Sequence, residues 1–274
     1  MFTSNPFAAL TAVMSADVMQ AYIVLMIILV AAGTLLDVLH KKSAQYFFEN
    51  ATRAQRSAKR SLSGGEKASM AIQTLTSEVL TSSEFSNPKR RMSHLMTMYG
   101  FIAFVVSTAV LIFKFPGAAD AGIWTTVWHL GALSLALGGY WFWFFNRVDV
   151  NSEGLPWYRL KRADLFIVSL LAMSTLALIW SATGSMLFFA LFILATTVLF
   201  STVLWSKFAH MFFKPAAAYQ KRTIMADGSR ENLPAEYDLS DPAVHAMFPD
   251  IPEYMGKNPP NMGLGIKREA PNHY

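Results

Sequence analysis

Histidines at the ends of long apolar stretches are the residues of this chain best suited to bind a cofactor. His94 begins one such stretch and His210 follows another, so we predict that they lie at the same depth on neighbouring helices. Neutral imidazole is a good metal ligand, and cofactor sites in helix bundles are built from side chains on facing helices. We therefore interpret His94 and His210 as candidate axial ligands of a haem iron. The alternative is that each histidine only hydrogen-bonds a carbonyl at a membrane interface.

Basic side chains accompany this histidine pair. Arg90 and Arg91 precede His94, and Lys207 precedes His210. The propionates of a haem at an interface need such cations, so we predict that these three residues bind them. Small residues nearby, such as Gly100, would leave room for the flat macrocycle. The simpler interpretation of the basic residues is that they set the membrane topology and contact phospholipid.

Asp37 and His40 lie one turn apart near the end of the first apolar stretch. A carboxylate at membrane depth is costly and favours a functional role. We therefore predict that the two residues belong to a quinone pocket, where they pass protons. The alternative is that both contact interfacial water.

The sequence excludes several other kinds of chemistry. It has no cysteine, so any iron–sulfur cluster that supplies electrons must belong to a partner protein. It lacks a Walker loop, a dinucleotide-binding glycine motif, an HExxH zinc motif and a nucleophile elbow. We assign no catalytic residue, and we expect the chain alone not to be catalytic.

Five apolar stretches provide the elements that must position these residues. They cover residues 19–39, 95–115, 124–146, 164–182 and 187–207, and 53% of the chain is hydrophobic. Each is close to the ~20 residues that a helix needs to cross a bilayer. The sequence therefore predicts an all-α membrane protein with a five-helix transmembrane bundle.

Basic residues are concentrated in segments 40–94 and 147–163 and in the tail after 207. The positive-inside rule then predicts an N-terminus outside and a C-terminus in the cytoplasm. Because these charges are spread over three pieces, we do not expect nucleic-acid binding.

The chain divides into a transmembrane domain, 1–214, and a proline-rich tail, 215–274, that we predict to be extended and to bind a partner. The loop 40–94 connects the first two spans. Within it, the spacing of apolar residues over 66–81 predicts a short amphipathic helix on the membrane or on a partner.

The segments RRMSHLMTMYGF and SKFAHMFFKPAAAYQKR resemble the histidine-bearing parts of the nitrate-reductase-gamma and heterodisulfide-reductase-E-like proteins. These are membrane subunits of quinone-linked respiratory complexes. The resemblance implies five spans, an outside N-terminus and haem-ligating histidines on the second and fifth spans.

Most of the chain is also similar to the membrane anchor subunits of adenylylsulfate (APS) reductase from sulfur-oxidising bacteria. The similarity rests on LLDVLHKKSAQYFFENA, LSGGEKAS, SEFSNPKRRMSHL and PDIPEYMGKNPPNMGLGIKREAPNHY. It implies location in the bacterial inner membrane and docking to soluble flavin and iron–sulfur subunits on the cytoplasmic side. Those subunits would oxidise sulfite with AMP to APS, and the electrons would pass to membrane quinone.

One departure from the two-haem relatives limits the cofactor content. Where those relatives carry a second histidine pair, this chain has aromatic residues such as Phe104, Phe188 and Phe192. We therefore expect one haem b. The alternative is a haem-free structural anchor that recruits the soluble enzyme. A small transporter is disfavoured, because the chain has no internal repeat and few intramembrane charges.

Overall fold

The computed structural model describes residues 3–40, 42–83, 85, 87–206, 210–233 and 241–247. Every regular element within these ranges is helical, which confirms the all-α prediction. The α-helices are α1 (Ala16–His40), α2 (Lys42–Ser57), α3 (Gly64–Thr74), α4 (Pro88–Lys114), α5 (Ile123–Trp141), α6 (Val148–Asn151), α7 (Leu165–Thr183), α8 (Met186–Ser201), α9 (His210–Ala226) and α10 (Pro242–Met247).

Three helical segments are long and apolar enough to cross a membrane: Ala16–His40, Pro88–Lys114 and Arg162–Thr183. They correspond to the predicted stretches 19–39, 95–115 and 164–182. The stretch 124–146 forms α5 and a π-helical turn, Phe142–Asn146.

The continuous helix that we predicted over 187–207 is wrong from Thr202 onward. Helix α8 has 16 residues and ends at Ser201, so it is only about 24 Å long. The chain then turns through Thr202 into a short 3₁₀ helix, Val203–Trp205. This turn packs Val203 against α1 at Gly33, where a β-carbon would lie 2.9 Å from the Cβ of Val203. A close contact with α1 therefore accompanies the end of the helix.

The large helices pack side by side, with α4 against α5, α5 against α7, α7 against α8, and α1 against α8 and α4. The closest approach is between α4 and α5, where glycines bring the backbones together. A β-carbon on Gly100 would lie 2.5 Å from the backbone nitrogen of Leu135, and one on Gly131 would lie 2.7 Å from that of Phe104. The space beside Gly100 is therefore occupied by the backbone of α5 and is not open to a macrocycle.

A second group of helices covers the end of the bundle at which α1 ends and α4 begins, which we call the basic end. It consists of α2, α9, and α3 with the π-helical turn Leu75–Leu80 that continues it. We call this group the polar layer. Arg222 of α9 binds Glu78 at 2.8 Å, and Gln220 donates to the carbonyl of Phe47 at 2.9 Å. The helix predicted over 66–81 is therefore confirmed and packs against α9.

The boundary that we predicted between residues 214 and 215 falls inside a helix. Helix α9 continues through Pro215 to Ala226, so the extended conformation expected from 215 is wrong for this part of the tail. The alanine-rich sequence favours a helix. Packing against α2 and α3 offsets the helical hydrogen bond that is lost because Pro215 has no amide hydrogen. Beyond α9, backbone bonds from Lys59 and Arg60 to the carbonyl of Asp227 continue this packing.

The close contact of α4 with α5 predicts that Gly100→Ala destabilises the bundle. The added methyl group would meet backbone atoms, which cannot rotate away, so we expect a loss of about 1–3 kcal/mol. Thermal unfolding in detergent measures this loss. Gly65→Ala is the matched control, because a β-carbon at that position would have nothing within 4 Å; equal effects of the two substitutions would contradict the packing argument.

The start of α3 should be sensitive to acid. Ser63 and Glu66 form a reciprocal cap, and hydrogen bonds from the Ser63 backbone and from Arg60 lower the pKa of Glu66 from 4.5 to about 2. Because this pKa is depressed, the stabilisation is present above the unfolded pKa and is lost as the pH falls toward 2. Hydrogen exchange of the α3 amides should show less protection near pH 3 than near pH 6, after correction for intrinsic rates. Glu66→Gln should remove most of this pH response.

Candidate functional site

His94 lies in the second turn of α4, and the start of that helix is well defined. The side chain of Asn87 accepts hydrogen bonds from the backbone amides of Lys89 and Arg90 at 3.0 and 3.4 Å. Pro88 occupies the first helical position, where its missing amide hydrogen costs nothing. These two features fix the helix register that sets the position of His94.

The imidazole of His94 faces the loop that precedes α4. Its Nδ1 lies 3.0 Å from the hydroxyl oxygen of Ser82, and its ring centroid lies 4.9 Å from that of Phe85. Ser82 is completely buried and has a positive φ of 49°. When Nδ1–H donates to Ser82, the lone pair of the ring is on Nε2, which is the atom that would ligate a metal. Metal-binding histidines are commonly oriented through such a bond from the other nitrogen.

Phe85 also brings α9 close to His94. The ammonium group of Lys214 lies 5.4 Å from the centroid of the Phe85 ring, so Phe85 contacts residues of both α4 and α9. His210 is the first residue of α9, one helical turn before Lys214. The structure therefore places the two histidine-bearing helices at a common contact. The side chain of His210 and the whole of Lys207 lie outside the described residues, so the predicted ligand pair is described only on the His94 side.

The two arginines that we predicted for the propionates differ in their surroundings. The Nε of Arg91 donates to the carbonyl of Thr81 at 2.7 Å, which holds the loop against α4. Arg90 is partly buried on the same turn. Arg91 thus has a structural contact that the sequence did not indicate, and both guanidinium groups lie within two turns of His94.

The predicted quinone pair is divided between the interior and the surface. Asp37 is 2% exposed, whereas His40 is exposed at the last position of α1. Asp37 lies one turn after Gly33, on the part of α1 that packs against Val203. The carboxylate of Asp37 is thus buried near the basic end, whereas the side chain of His40 is exposed.

Ser82 and Phe85 are functional candidates that the sequence did not reveal, because both lie in a loop without periodicity. A third residue without a predicted role is Arg147, which is buried and ion-paired with Asp164 at 3.1 Å and with Asp149 at 3.3 Å. Its guanidinium carbon also lies 4.3 Å from the ring centroid of Trp143. Asp164 is therefore part of a structural ion-pair network.

The same network controls the charge of Asp149. A hydrogen bond from Lys161 at 2.7 Å, and then one from Arg147, lower the pKa of this carboxyl below its ordinary value. Arg147 also donates to the carbonyl oxygens of Trp157 and Arg159. These contacts tie the loop between α5 and α7 to the basic end of the bundle.

The opposite end of the bundle is filled with aromatic side chains. Phe104, Trp128, Trp180 and Phe192 are buried, with the Trp180 and Phe192 rings stacked 5.8 Å apart. Phe7, from the segment before α1, packs edge-on against both tryptophans. The positions at which we expected aromatic residues in place of a second histidine pair are thus packed by neighbouring rings.

His129 belongs to this packed end. It is completely buried, and its two ring nitrogens lie 2.7 Å from the carbonyl of Thr125 and 2.7 Å from the hydroxyl of Ser181. Because a carbonyl only accepts, Nδ1 carries the hydrogen and Ser181 donates to Nε2 when the ring is neutral. This arrangement joins α5 to α7 and explains the residue as part of the core.

Metal sites of another kind are not indicated. Among the described residues, no group of three or more histidine, cysteine, aspartate or glutamate side chains is placed to hold a metal ion.

The Arg147 network predicts a large effect of removing its central cation. Arg147→Ala would leave Asp164 without its ion-pair partner in a largely buried site, and we expect a loss of roughly 3 kcal/mol. Thermal unfolding in detergent measures it. The control is Arg159→Ala, since that exposed residue contributes its carbonyl to the network; a comparable loss in the control would show that the ion pair is not the cause.

Comparison with protein-family models, with curated proteins and with solved structures returned no match for this chain. The functional argument therefore rests on the residues and on their geometry.

Proposed function

We propose that the chain is a membrane anchor and electron-transfer subunit that binds one haem b through His94 and His210. The observation that carries this proposal is the geometry of His94, whose Nδ1 lies 3.0 Å from Ser82 and whose ring contacts Phe85. When Nδ1–H donates to Ser82, Nε2 is the atom that would ligate the iron, and the contact of Phe85 with Lys214 brings α9 to the same place. His94 is then one proposed ligand, and His210 at the start of α9 is the proposed second ligand.

The proposed topology has five membrane segments, with the N-terminus outside and the C-terminus in the cytoplasm. The polar layer and the ends of the helices that carry His40 and His94 lie at the basic end, and the connections at the other end contain a single basic residue, Lys114. The asymmetry of charge supports this orientation. The chain would lie in a bacterial inner membrane, with its basic end facing inward.

In this proposal each residue has a distinct role. Bound haem supplies a one-electron carrier near the cytoplasmic surface. Ser82 orients the ring of His94, while Arg90, Arg91 and Lys207 provide positive charge for the propionates. Reduction of a quinone to a quinol takes two electrons and two protons, and the buried carboxyl of Asp37 is the candidate to deliver protons, with His40 on the surface side.

The proposed partners are the soluble flavin and iron–sulfur subunits of APS reductase, which would oxidise sulfite with AMP to APS and pass electrons to this subunit. The supporting features are the polar layer, which offers a folded platform at the basic end, and the proline-rich tail beyond residue 233. The second candidate function is a haem-free structural anchor for the same enzyme. It stays open because the sequence has aromatic residues where the two-haem proteins that it resembles carry a second histidine pair, so half of that ligand set is missing.

A visible difference spectrum separates the two candidate functions. We expect the purified full-length chain to show a b-type signal on reduction with dithionite, because two imidazoles hold the iron in a low-spin state. His94→Ala and His210→Ala should abolish the signal, whereas His245→Ala in the tail should retain it. A complete absence of the signal in the wild-type complex would favour the structural anchor.

The tail is tested by truncation, and the structure determines where to cut. Helix α9 packs against α2 and α3, and the turn after it is held as far as Asn232, which is bound to Asn50 of α2 at 2.6 Å. Removal of the residues after 233 should therefore leave the membrane domain folded but reduce copurification of the soluble subunits. Full recovery of those subunits with the truncated chain would show that the tail does not hold them.

A further inference from the structure

The segment Gly64–Leu80 turns its polar side toward the protein and its apolar side outward. Thr74 is buried, and Glu78 binds Arg222 at 2.8 Å. On the opposite side, Ile72 is 63% exposed and Leu75 is 54% exposed. A helix on a water-covered surface has the reverse arrangement, with apolar residues inward and charged residues outward.

From residue 68 onward, the outward face of this segment is also uncharged. Between residues 68 and 80, all of which the structure describes, the exposed residues are Ala68, Ser69, Ile72, Gln73, Leu75, Thr76 and Leu80. The two carboxylates of the segment, Glu66 and Glu78, are instead ion-paired to Arg60 and Arg222. A face with three large aliphatic side chains and no charge is suited to an apolar environment.

Two hydrogen bonds fix the depth of the end of this segment relative to α4. The hydroxyl of Tyr99 donates to the carbonyl of Leu80 at 2.6 Å, and Arg91 donates to the carbonyl of Thr81 at 2.7 Å. Tyr99 lies in the apolar part of α4, and Arg91 lies in its basic first turns. Leu80 is therefore held at the boundary between the charged and the apolar parts of a membrane-spanning helix.

The exposed face of the segment continues an exposed apolar row on α4. Met92, Tyr99, Ile102, Val106 and Phe113 are exposed at spacings that place them on one side of that helix. Because α4 is long and apolar enough to cross a membrane, this row is suited to contact acyl chains. Leu80 adjoins the row at Tyr99, so the two surfaces form one continuous apolar face.

We infer that the segment Gly64–Leu80 lies in the plane of the membrane, with Ile72, Leu75 and Leu80 inserted among the acyl chains at the basic end. Lys67 within the segment and Lys89 at the start of α4 are exposed, where they reach the phosphates of the lipid headgroups. Lipid acyl chains, rather than a protein partner, cover this face, because it is continuous with the side of α4 that faces lipid. The inference does not depend on haem or on the identity of a soluble partner.

Site-specific labelling tests this inference directly, because the chain has no cysteine and a single introduced thiol is unique. Ile72→Cys, Leu75→Cys and Leu80→Cys in the full-length chain are labelled with a polarity-sensitive fluorophore and reconstituted into phosphatidylglycerol–phosphatidylethanolamine vesicles. We expect blue-shifted emission, quenching by lipids brominated on their acyl chains, and protection from iodide. Gln55→Cys is the matched control, since Gln55 is an exposed polar residue of α2; its label should emit as in water and be quenched by iodide.

Circular dichroism of each labelled variant confirms that the helices are retained. Water-like emission with iodide quenching at 72, 75 and 80, in folded protein without any partner, would overturn the inference and leave this face for a protein. Haem content is measured on the same samples, so a chain that lacks haem can still show the lipid contact.

Discussion

Two hydrogen bonds from α4 to the preceding loop determine how the basic end is organised. Arg91 and Tyr99 donate to the carbonyl oxygens of Thr81 and Leu80, which are adjacent in the chain. Carbonyl groups that are withdrawn from water need such donors, because an unpaired buried carbonyl is costly. By holding this loop, the two bonds set where Ser82 and Phe85 meet His94, and also where the α3 segment lies along the bundle. The candidate cofactor site and the lipid-contacting face therefore depend on the same contact.

The polar layer is coupled to this contact through α9. Arg222 binds Glu78 in the π-helical turn that precedes the loop, and Lys214 lies over the ring of Phe85 within the loop. Helix α9 thus contacts the chain on both sides of Ser82, at Glu78 before it and at Phe85 after it. A movement of α9, for example on binding of a soluble partner, would change the surroundings of His94 without any direct contact between partner and ligand. If a partner and a haem bind as we propose, this would give a physical route from docking at the basic end to the haem site.

Apolar periodicity was sufficient to predict the all-helical class, the three strongest membrane segments and the helix over 66–81. It failed where single tertiary contacts decide the outcome. The end of α8 at Ser201 coincides with packing of Val203 on Gly33. Helix α9 extends through Pro215 because it packs against α2 and α3. Neither of these tertiary contacts can be recognised from the local sequence. At the site, the histidines near helix ends could be chosen as candidates from the sequence. Ser82 could not, since a buried serine in a loop has no pattern that distinguishes it.

The two ends of the bundle differ in how closely their side chains are packed, which limits where a macrocycle could bind. At the opposite end, Phe7, Trp128 and Trp180 pack edge to edge, and His129 is bound to Thr125 and Ser181. A close-packed interior of this kind leaves no space for a macrocycle without the loss of several kcal/mol per displaced aromatic ring. At the basic end, by contrast, His94 lies beside a loop rather than inside a helix pair, and a loop can adjust to a cofactor at lower cost. If the chain binds a haem as we propose, the packing favours a single haem near the basic end, and that position would keep the path from the proposed soluble donor to the lipid short.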